Sequence, residues 1–302
     1  MPKPKVIAIV GPTASGKSAL GIWLAKKING EIISADSRQV YKGLNIATGK
    51  VTKKEMQGVK HHLLDVVSPK KQFSVDDFIK HADRACSNIL QNDRTILVVG
   101  GTGLYVDMLL GRMSYPQVPP KPTLRKKLEK KSAVQLYALL QKIDPARAKT
   151  IEKQNPRRLV RAIEIAKALG KNPPANPEPK YEVLWLGLSP TPEKLKKNIR
   201  IRLFSRIGAG MIAEAKKLHA GGLSYKRMEQ LGLEYRYLAR LLQNKLTKQE
   251  FKLQLEREIN QYAKRQMRWF VRNKDINWVG NKSEALLHVK NFLRAMEESN
   301  LH

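Results

Sequence analysis

Gly11-Pro12-Thr13-Ala14-Ser15-Gly16-Lys17-Ser18 decides the fold. It follows the apolar, β-branched run Lys5-Val6-Ile7-Ala8-Ile9-Val10 and precedes Ala19-Leu20-Gly21-Ile22-Trp23-Leu24-Ala25, whose spacing suits a helix with one buried side. Strand, glycine loop and helix in that order are the context that gives a G-x-x-x-x-G-K-[ST] match its meaning. The N–H groups of such a loop, together with the helix N-terminus, form a nest for phosphate oxygens. Lys17 adds a point charge and Ser18 a hydroxyl suited to magnesium. A side chain at Gly11 or Gly16 would obstruct the tight turn or the approach of a phosphate.

Outward from this loop, Asn29-Gly30 closes the helix, and Glu31-Ile32-Ile33-Ser34 reads as a second buried strand. It delivers Ala35-Asp36-Ser37-Arg38-Gln39-Val40-Tyr41 at its carboxyl end. Ligands of open parallel sheets gather at the carboxyl ends of the strands, so Asp36 is expected to face the crevice that holds Lys17. A carboxylate there has three roles open to it: magnesium ligand, general base, or cap of its own turn. The third strand, Thr95-Ile96-Leu97-Val98-Val99, ends in Gly100-Gly101-Thr102-Gly103-Leu104-Tyr105. A triphosphate-hydrolysing enzyme of this architecture usually places a magnesium-binding Asp there, so the loop is free to hold another phosphorylated ligand. The glycines admit either a bulky group close to the backbone, with Thr102 offering a hydroxyl, or simply a tight turn. In His61-His62-Leu63-Leu64-Asp65, adjacent residues of an extended segment point to opposite faces, which favours hydrogen bonding over metal ligation.

Composition narrows the partners. The chain has 302 residues, 42% of them hydrophobic, enough for one large domain with an insertion or for two domains. A formal net charge of +31 points to a polyanionic partner. No apolar run approaches the roughly 20 residues that span a bilayer. Met1-Pro2-Lys3-Pro4 leads into the first strand without the pattern of a cleavable signal, and the single cysteine, Cys86, fits a cytoplasmic protein.

Ser74-Val75-Asp76-Asp77 starts a helix whose core face is read as Phe78, Ala82, Ala85, Cys86, Ile89 and Leu90. Pro119-Pro120-Lys121-Pro122 reads as a stiff hinge, and from Thr123 to about Gly170 the chain is helical and basic, an insertion ended by the connector Asn172-Pro173-Pro174-Ala175-Asn176-Pro177. Within it, Asn155-Pro156 caps a helix bearing Arg157, Arg158 and Arg161, a fork suited to RNA phosphates. Val183-Leu184-Trp185-Leu186-Gly187-Leu188 returns as a strand, and Thr191-Pro192-Glu193 opens a helix carrying Arg200, Arg202 and Arg206. The last long helix is expected from about Lys248 to Arg272. Its buried stripe is read as Phe251, Leu255, Ile259, Ala263, Met267 and Phe270, and its basic ladder as Lys264, Arg268 and Arg272 flanked by Arg265. Trp269 either stacks a base or packs in the core.

Six stretches carry a resemblance: Gly11 to Ser18, Ser34 to Gly43, His61 to Asp65, Gly100 to Tyr105, Asn155 to Arg158, and Tyr262-Ala263-Lys264-Arg265-Gln266. In this order they resemble the successive motifs of the tRNA dimethylallyltransferase (isopentenyltransferase) family, colinear over about residues 5 to 280. The resemblance implies an α/β fold, a P-loop NTPase-like core with a parallel sheet (1–118 and 182–302) plus a tRNA-binding helical insertion (119–181). It implies transfer of the allyl group of dimethylallyl diphosphate to the exocyclic amine of the adenine 3′ of the anticodon, in tRNAs reading U-initial codons. Diphosphate is released with the help of magnesium, to which Ser18 is the implied ligand.

By the same resemblance Asp36 matches the general base, Thr13, Ser15, Lys17 and Ser18 the diphosphate ligands within Gly11 to Ser18, and Arg202 an arginine near the leaving group. Asp36, Ser37, Arg38, Gln39, Thr102, Arg125, Gln154, Asn155, Pro156, Arg157, Arg158, Lys264 and Arg265 match positions facing the tRNA anticodon stem-loop. A cytoplasmic monomer is expected. The chain departs from the family pattern at Arg206, where an apolar residue is usual, at Arg268, where threonine is usual, and in Gln230-Leu231-Gly232-Leu233-Glu234-Tyr235.

Overall fold

The computed structural model describes residues 3–113, 116, 118–171 and 179–294; the first two residues and the connector expected at 172–177 lie outside the described residues. The chain divides into two compact units, Met1–Leu110 with Pro179–His302, and Gly111–Glu178.

Six strands form one sheet in the first unit: β1 (Lys5–Val10), β2 (Gly30–Ser34), β3 (His61–His62), β4 (Thr95–Gly100), β5 (Glu182–Gly187) and β6 (Ile276–Trp278). Their order is β3-β2-β4-β1-β5-β6, and every pairing is parallel. All carboxyl ends therefore lie on one edge. The register brings the ends level, with Val10 opposite Gly100 and Gly187, and Ser34 opposite Val99. The loops after β1, β2 and β4 start within one residue of each other, and these are the three loops singled out from the sequence.

Side chains of a strand alternate between faces, and the sheet separates them into two cores. Val6, Ala8, Val10, Ile33, Ile96 and Val98 pack with Phe78, Ala82, Cys86 and Ile89 of the helix Val75–Gln91. Ile7, Ile9, Ile32, Leu97 and Val99 pack with Leu20 and Leu24 of the helix Lys17–Lys27 and with Ala285 and Val289 of Lys282–Arg294. Leu90, expected on the core face of Val75–Gln91, is 38% exposed, while its neighbour Ile89 is fully buried near the end of that helix.

A third core is built from helices around one loop segment. Leu203 of Pro192–Gly208, Met211 of Met211–Ala220, Met228 of Tyr225–Leu231, Tyr235 of Leu233–Leu242, and Phe251 and Ile259 of Lys248–Phe270 enclose Val40, Tyr41, Leu44 and Ala47. The segment downstream of Asp36 is thus anchored in apolar packing. In Lys248–Phe270 the buried stripe is Phe251, Leu255, Ile259, Ala263, Gln266 and Phe270. Gln266 takes the place expected of Met267 because its amide has partners inside, described below.

The second unit holds the helices Pro122–Leu128, Ala133–Ile143, Pro145–Thr150 and Pro156–Leu169. Its small core comprises Leu128, Leu136, Leu140, Ala148, Ile151, Leu159, Val160, Ala162 and Ile163. Ser132, Asp144 and Asn155 each accept a backbone N–H as helix caps, and Pro145 and Pro156 stand where a missing N–H costs nothing.

Candidate active site

At the carboxyl edge of the sheet, Thr13, Lys17, Ser18, Asp36, Gln39, Gly101, Arg202, Tyr262 and Gln266 line one cleft. The cleft proper encloses about 80 Å³. An adjoining cavity of about 600 Å³ shares Ser18, Val51 and Arg202 with it and brings the space into the range of ligand pockets. Asp36 and Lys17 face the same crevice, as the topology requires.

The phosphate loop is braced from two sides. Thr13 N donates to Gln266 Oε1 at 2.8 Å, and Gln266 Nε2 donates to Gly101 O at 2.9 Å, so one buried amide joins the loops after β1 and β4. Asn198 Nδ2 donates to Ala14 O at 3.2 Å, holding the loop's tip, where Ala14 adopts a φ of 61°. At Gly11, with φ of 143°, an added Cβ would lie 2.5 Å from Leu188 O, so the turn has no room for a side chain. Ser15 Oγ is buried with no hydrogen-bond partner among the described residues. Such an orphan is expected where a ligand's oxygen completes the site.

Lys17 Nζ donates to Pro12 O at 2.6 Å. Desolvation, reinforced by the Arg202 guanidinium and opposed by Asp36, pushes its amine down to about 7. Arg202 is likewise held below its ordinary value, first by burial and then by Arg206, with Glu234 and Asp36 opposing. Two cations brought this close, away from water, favour an anion between them.

Asp36 divides its two oxygens. Oδ1 accepts Arg38 N at 2.8 Å and Gln39 N at 3.3 Å, capping its own turn, while Oδ2 has no hydrogen bond among the described residues. Turn cap and proton acceptor are therefore compatible in one side chain. Ser37 N donates to Thr102 Oγ1 at 3.1 Å and Thr102 N to Ala35 O at 3.2 Å, which sews the β2 and β4 loops together. Burial and the Asp36 charge push the Tyr262 phenol up, so it stays protonated beside the carboxylate.

The glycine turn after β4 answers to protein neighbours. Added Cβ atoms at Gly100, Gly101 and Gly103 would lie 2.2, 2.3 and 2.2 Å from Ala35 O, Gln266 Nε2 and Trp269 Cδ1. The close approach predicted there is made by the protein itself. Trp269 Nε1 donates to Asp107 Oδ2 at 2.7 Å, and the indole packs, partly buried, against the sheet core. His62 Nε2 meets Glu31 Oε2 at 2.6 Å and His61 Nδ1 meets Val59 O at 2.9 Å. Among the described residues no group of three His, Cys, Asp or Glu side chains could hold a metal.

The other expected positions lie elsewhere. Lys264 and Arg265 are exposed on the helix that supplies Tyr262 and Gln266, with Arg265 2.9 Å from Glu258. In the helical unit, Gln154, Arg157 and Arg158 are exposed, Asn155 caps the helix and Pro156 opens it. Arg158 meets Glu152 at 3.1 Å. Arg125 donates through Nε and Nη2 to the buried Glu164 at 2.8 and 2.7 Å, and Arg161 reaches the same carboxylate at 3.6 Å. The fork read as Arg157, Arg158 and Arg161 thus leaves Arg161 turned inward.

A family model described as IPP transferase matches residues 39–274. The chain belongs to the IPP transferase family. It is accordingly a prenyl-transferring enzyme. Family relatives include a tRNA dimethylallyltransferase of Carboxydothermus hydrogenoformans, 39% identical over 93% of this chain and 94% of that one. Another, of Pelotomaculum thermopropionicum, is 37% identical over 92% and 91%. A full-length tRNA isopentenylpyrophosphate transferase from Bacillus halodurans superposes with a TM-score of 0.73 at 35% identity, covering 99% of each chain. A eukaryotic dimethylallyltransferase, captured acting on tRNA, gives 0.80 at 28% identity over 91% of this chain and 73% of its own. The family fold is the P-loop-like core with an all-parallel sheet described above. No helix among the described residues is long and apolar enough to cross a membrane.

Sequence reading missed three residues that shape the site: Gln266 as a bridge, Asn198 as a brace, and Gly49, whose carbonyl accepts from Arg202 at 3.0 Å. A glutamine on an otherwise apolar stripe was the available signal for the first. Nothing local marks the other two.

Proposed function

We propose that this enzyme transfers the dimethylallyl group of dimethylallyl diphosphate to the exocyclic amine of the adenine 3′ of the anticodon in tRNAs reading U-initial codons. The observation that carries this reading is the shared cleft: Lys17 and Arg202, two cations displaced downward, lie opposite a carboxylate with one free oxygen. An adenine amine is a weak nucleophile because its lone pair is delocalised into the ring. As its nitrogen bonds to the allylic carbon, the carbon–oxygen bond to diphosphate breaks and the electron pair leaves with the diphosphate. The amine's proton passes to Asp36 Oδ2. Charge gathering on the departing diphosphate is stabilised by Lys17, Arg202 and the N–H groups of Gly11 to Ser18.

Magnesium fits the donor set. Ser18 supplies a hydroxyl at the cleft wall, Ser15 Oγ is unpartnered, and the shortage of carboxylates leaves the remaining positions to phosphate oxygens and water, the usual habit of this ion. When bound, magnesium would neutralise part of the diphosphate charge.

The target base has to leave its stack to reach Asp36, at a cost of a few kcal/mol that RNA contacts offset. We assign those contacts to Asp36 through Gln39, Thr102, Arg125, Gln154 through Arg158, Lys264 and Arg265, in a cytoplasmic monomer. The net charge of +31 supports a polyanionic substrate. Incubation with anticodon stem-loop RNA, magnesium and dimethylallyl diphosphate is expected to add one five-carbon unit to the RNA by mass. Unmodified RNA together with RNA-independent ATP turnover would replace this reading with that of a small-molecule kinase.

A further inference from the structure

The segment Leu44 to Lys50 forms no strand or long helix, yet it bears directly on the cleft. Gly49 O accepts from Arg202 Nη2 at 3.0 Å and from Gln39 Nε2 at 3.4 Å. Gly49 has a φ of 59°, and a Cβ there would lie 2.3 Å from Arg202 Nη2, so the guanidinium packs straight onto this turn.

A carboxylate from a separate helix holds the turn in place. On Met211–Ala220, Glu214 Oε2 accepts Asn45 N at 3.0 Å and Ile46 N at 2.7 Å, while Oε1 accepts Ala47 N at 3.0 Å and the Tyr235 hydroxyl at 2.8 Å. Successive N–H groups converging on one anion form a nest, here filled by the protein's own side chain. Tyr235 is 1% exposed and fixes the carboxylate from below. Arg206 closes the far side, donating to Ala47 O at 2.5 Å and to Glu234 Oε1 at 3.2 Å. Arg206 and Glu234 are thus partners in one largely buried pair beside Arg202.

We infer that Glu214 is a positioning residue for the transfer reaction: by tying down the N–H groups of Asn45 to Ala47 it sets the Gly49 carbonyl, and through that carbonyl the Arg202 guanidinium. The inference rests on the proposed role of Arg202 at the leaving diphosphate. Its reach is specific, since Glu214 touches nothing in the cleft and acts only through the turn.

The test is a double-variant cycle with Glu214→Gln, Arg202→Gln and the pair. kcat and KM for dimethylallyl diphosphate are measured at saturating anticodon stem-loop RNA, alongside thermal melting. Glu214→Gln places an amide NH2 against backbone N–H donors. Arg202→Gln alone should lower kcat/KM about a hundredfold, Glu214→Gln alone about tenfold, and the pair no further than Arg202→Gln. KM for RNA should stay within about twofold in every variant. Losses that multiply in the pair would overturn the positioning role while leaving Arg202 in the reaction. Full activity of Arg202→Gln would instead remove the reading on which the inference stands. If Glu214→Gln fails to fold, Tyr235→Phe, which deletes one hydrogen bond to the carboxylate, decides: a loss of about threefold confined to the Arg202 background is expected. The same loss in both backgrounds overturns the inference.

Discussion

The cleft of the sheet unit and the surface of the helical unit Gly111–Glu178 are assembled in opposite ways. In the cleft, Lys17, Asp36 and Gly101 follow three strands whose ends are fixed by parallel pairing of β1, β2 and β4, and hydrogen bonds knit the loops to one another. In the helical unit the cations stand on helix faces. Arg157 faces solvent, whereas Arg125 and Arg161 serve the internal carboxylate Glu164. A site made by backbone convergence places its side chains by topology. One made on helix faces depends on which charges the fold keeps for itself.

That contrast is sharpest at Lys17. Lys17→Met keeps the loop's volume and removes its charge from the developing diphosphate, so the chemical step should slow by about 10² to 10³-fold in single-turnover measurements. A loss below about tenfold would mean that the loop amides and Arg202 suffice without it.

Bracing of the loops is the next effect in size. Gln266→Ala strands Thr13 N and Gly101 O in a buried place, and should lower unfolding free energy by about 1–3 kcal/mol in urea titrations. Unchanged stability would show that the two loops are held without the amide bridge.

The helical unit offers a test through pH. Desolvation alone would raise the Glu164 carboxyl, but bonds from Arg125 and the Lys121 amide, with the charges of Arg125 and Arg161, bring it below its ordinary value. A carboxylate lowered on folding contributes its full stability above about pH 4.3, the value in the unfolded chain, and loses that contribution as pH falls through the folded value. Glu164→Gln should therefore melt earlier than the wild type near pH 6, by the equivalent of about 1–2 kcal/mol, and the gap should narrow as pH falls below the ordinary carboxylate range. A gap independent of pH would assign the loss to packing.

The smallest effect belongs to the exposed face. Arg157→Ala should weaken binding of anticodon stem-loop RNA by about two- to fivefold and flatten its salt dependence by about one counterion. An unchanged salt slope would remove this arginine from the RNA contacts.

How much was legible in the sequence follows the same contrast. Gly11 to Ser18 and Asp36 could be placed in one crevice because a strand, a turn and a parallel sheet leave few alternatives. The helices between 211 and 242 were unread because they are short, of 10, 7 and 10 residues, and interrupted by glycines. Gln266 escaped because the stripe was read by its apolar members alone, although a glutamine among them was a signal, and Glu214 because its meaning lies in backbone groups about 170 residues away in the chain. Arg161 shows the converse, a side chain read as part of an RNA-facing fork that reaches toward an internal carboxylate, while of the two readings open for Trp269 the contacts favour packing.

Asp36 Oδ2 is the proposed proton acceptor, in the cleft proposed to hold the diphosphate. Asp36→Asn preserves the Oδ1 turn cap and removes the acceptor. Rapid-quench measurement of transfer, paired with equilibrium binding of RNA and of dimethylallyl diphosphate, should show the chemical step slowed by about 10² to 10⁴-fold with both affinities within about threefold of wild type. Transfer at the wild-type rate, or a loss of RNA affinity large enough to explain the slower turnover, would contradict it.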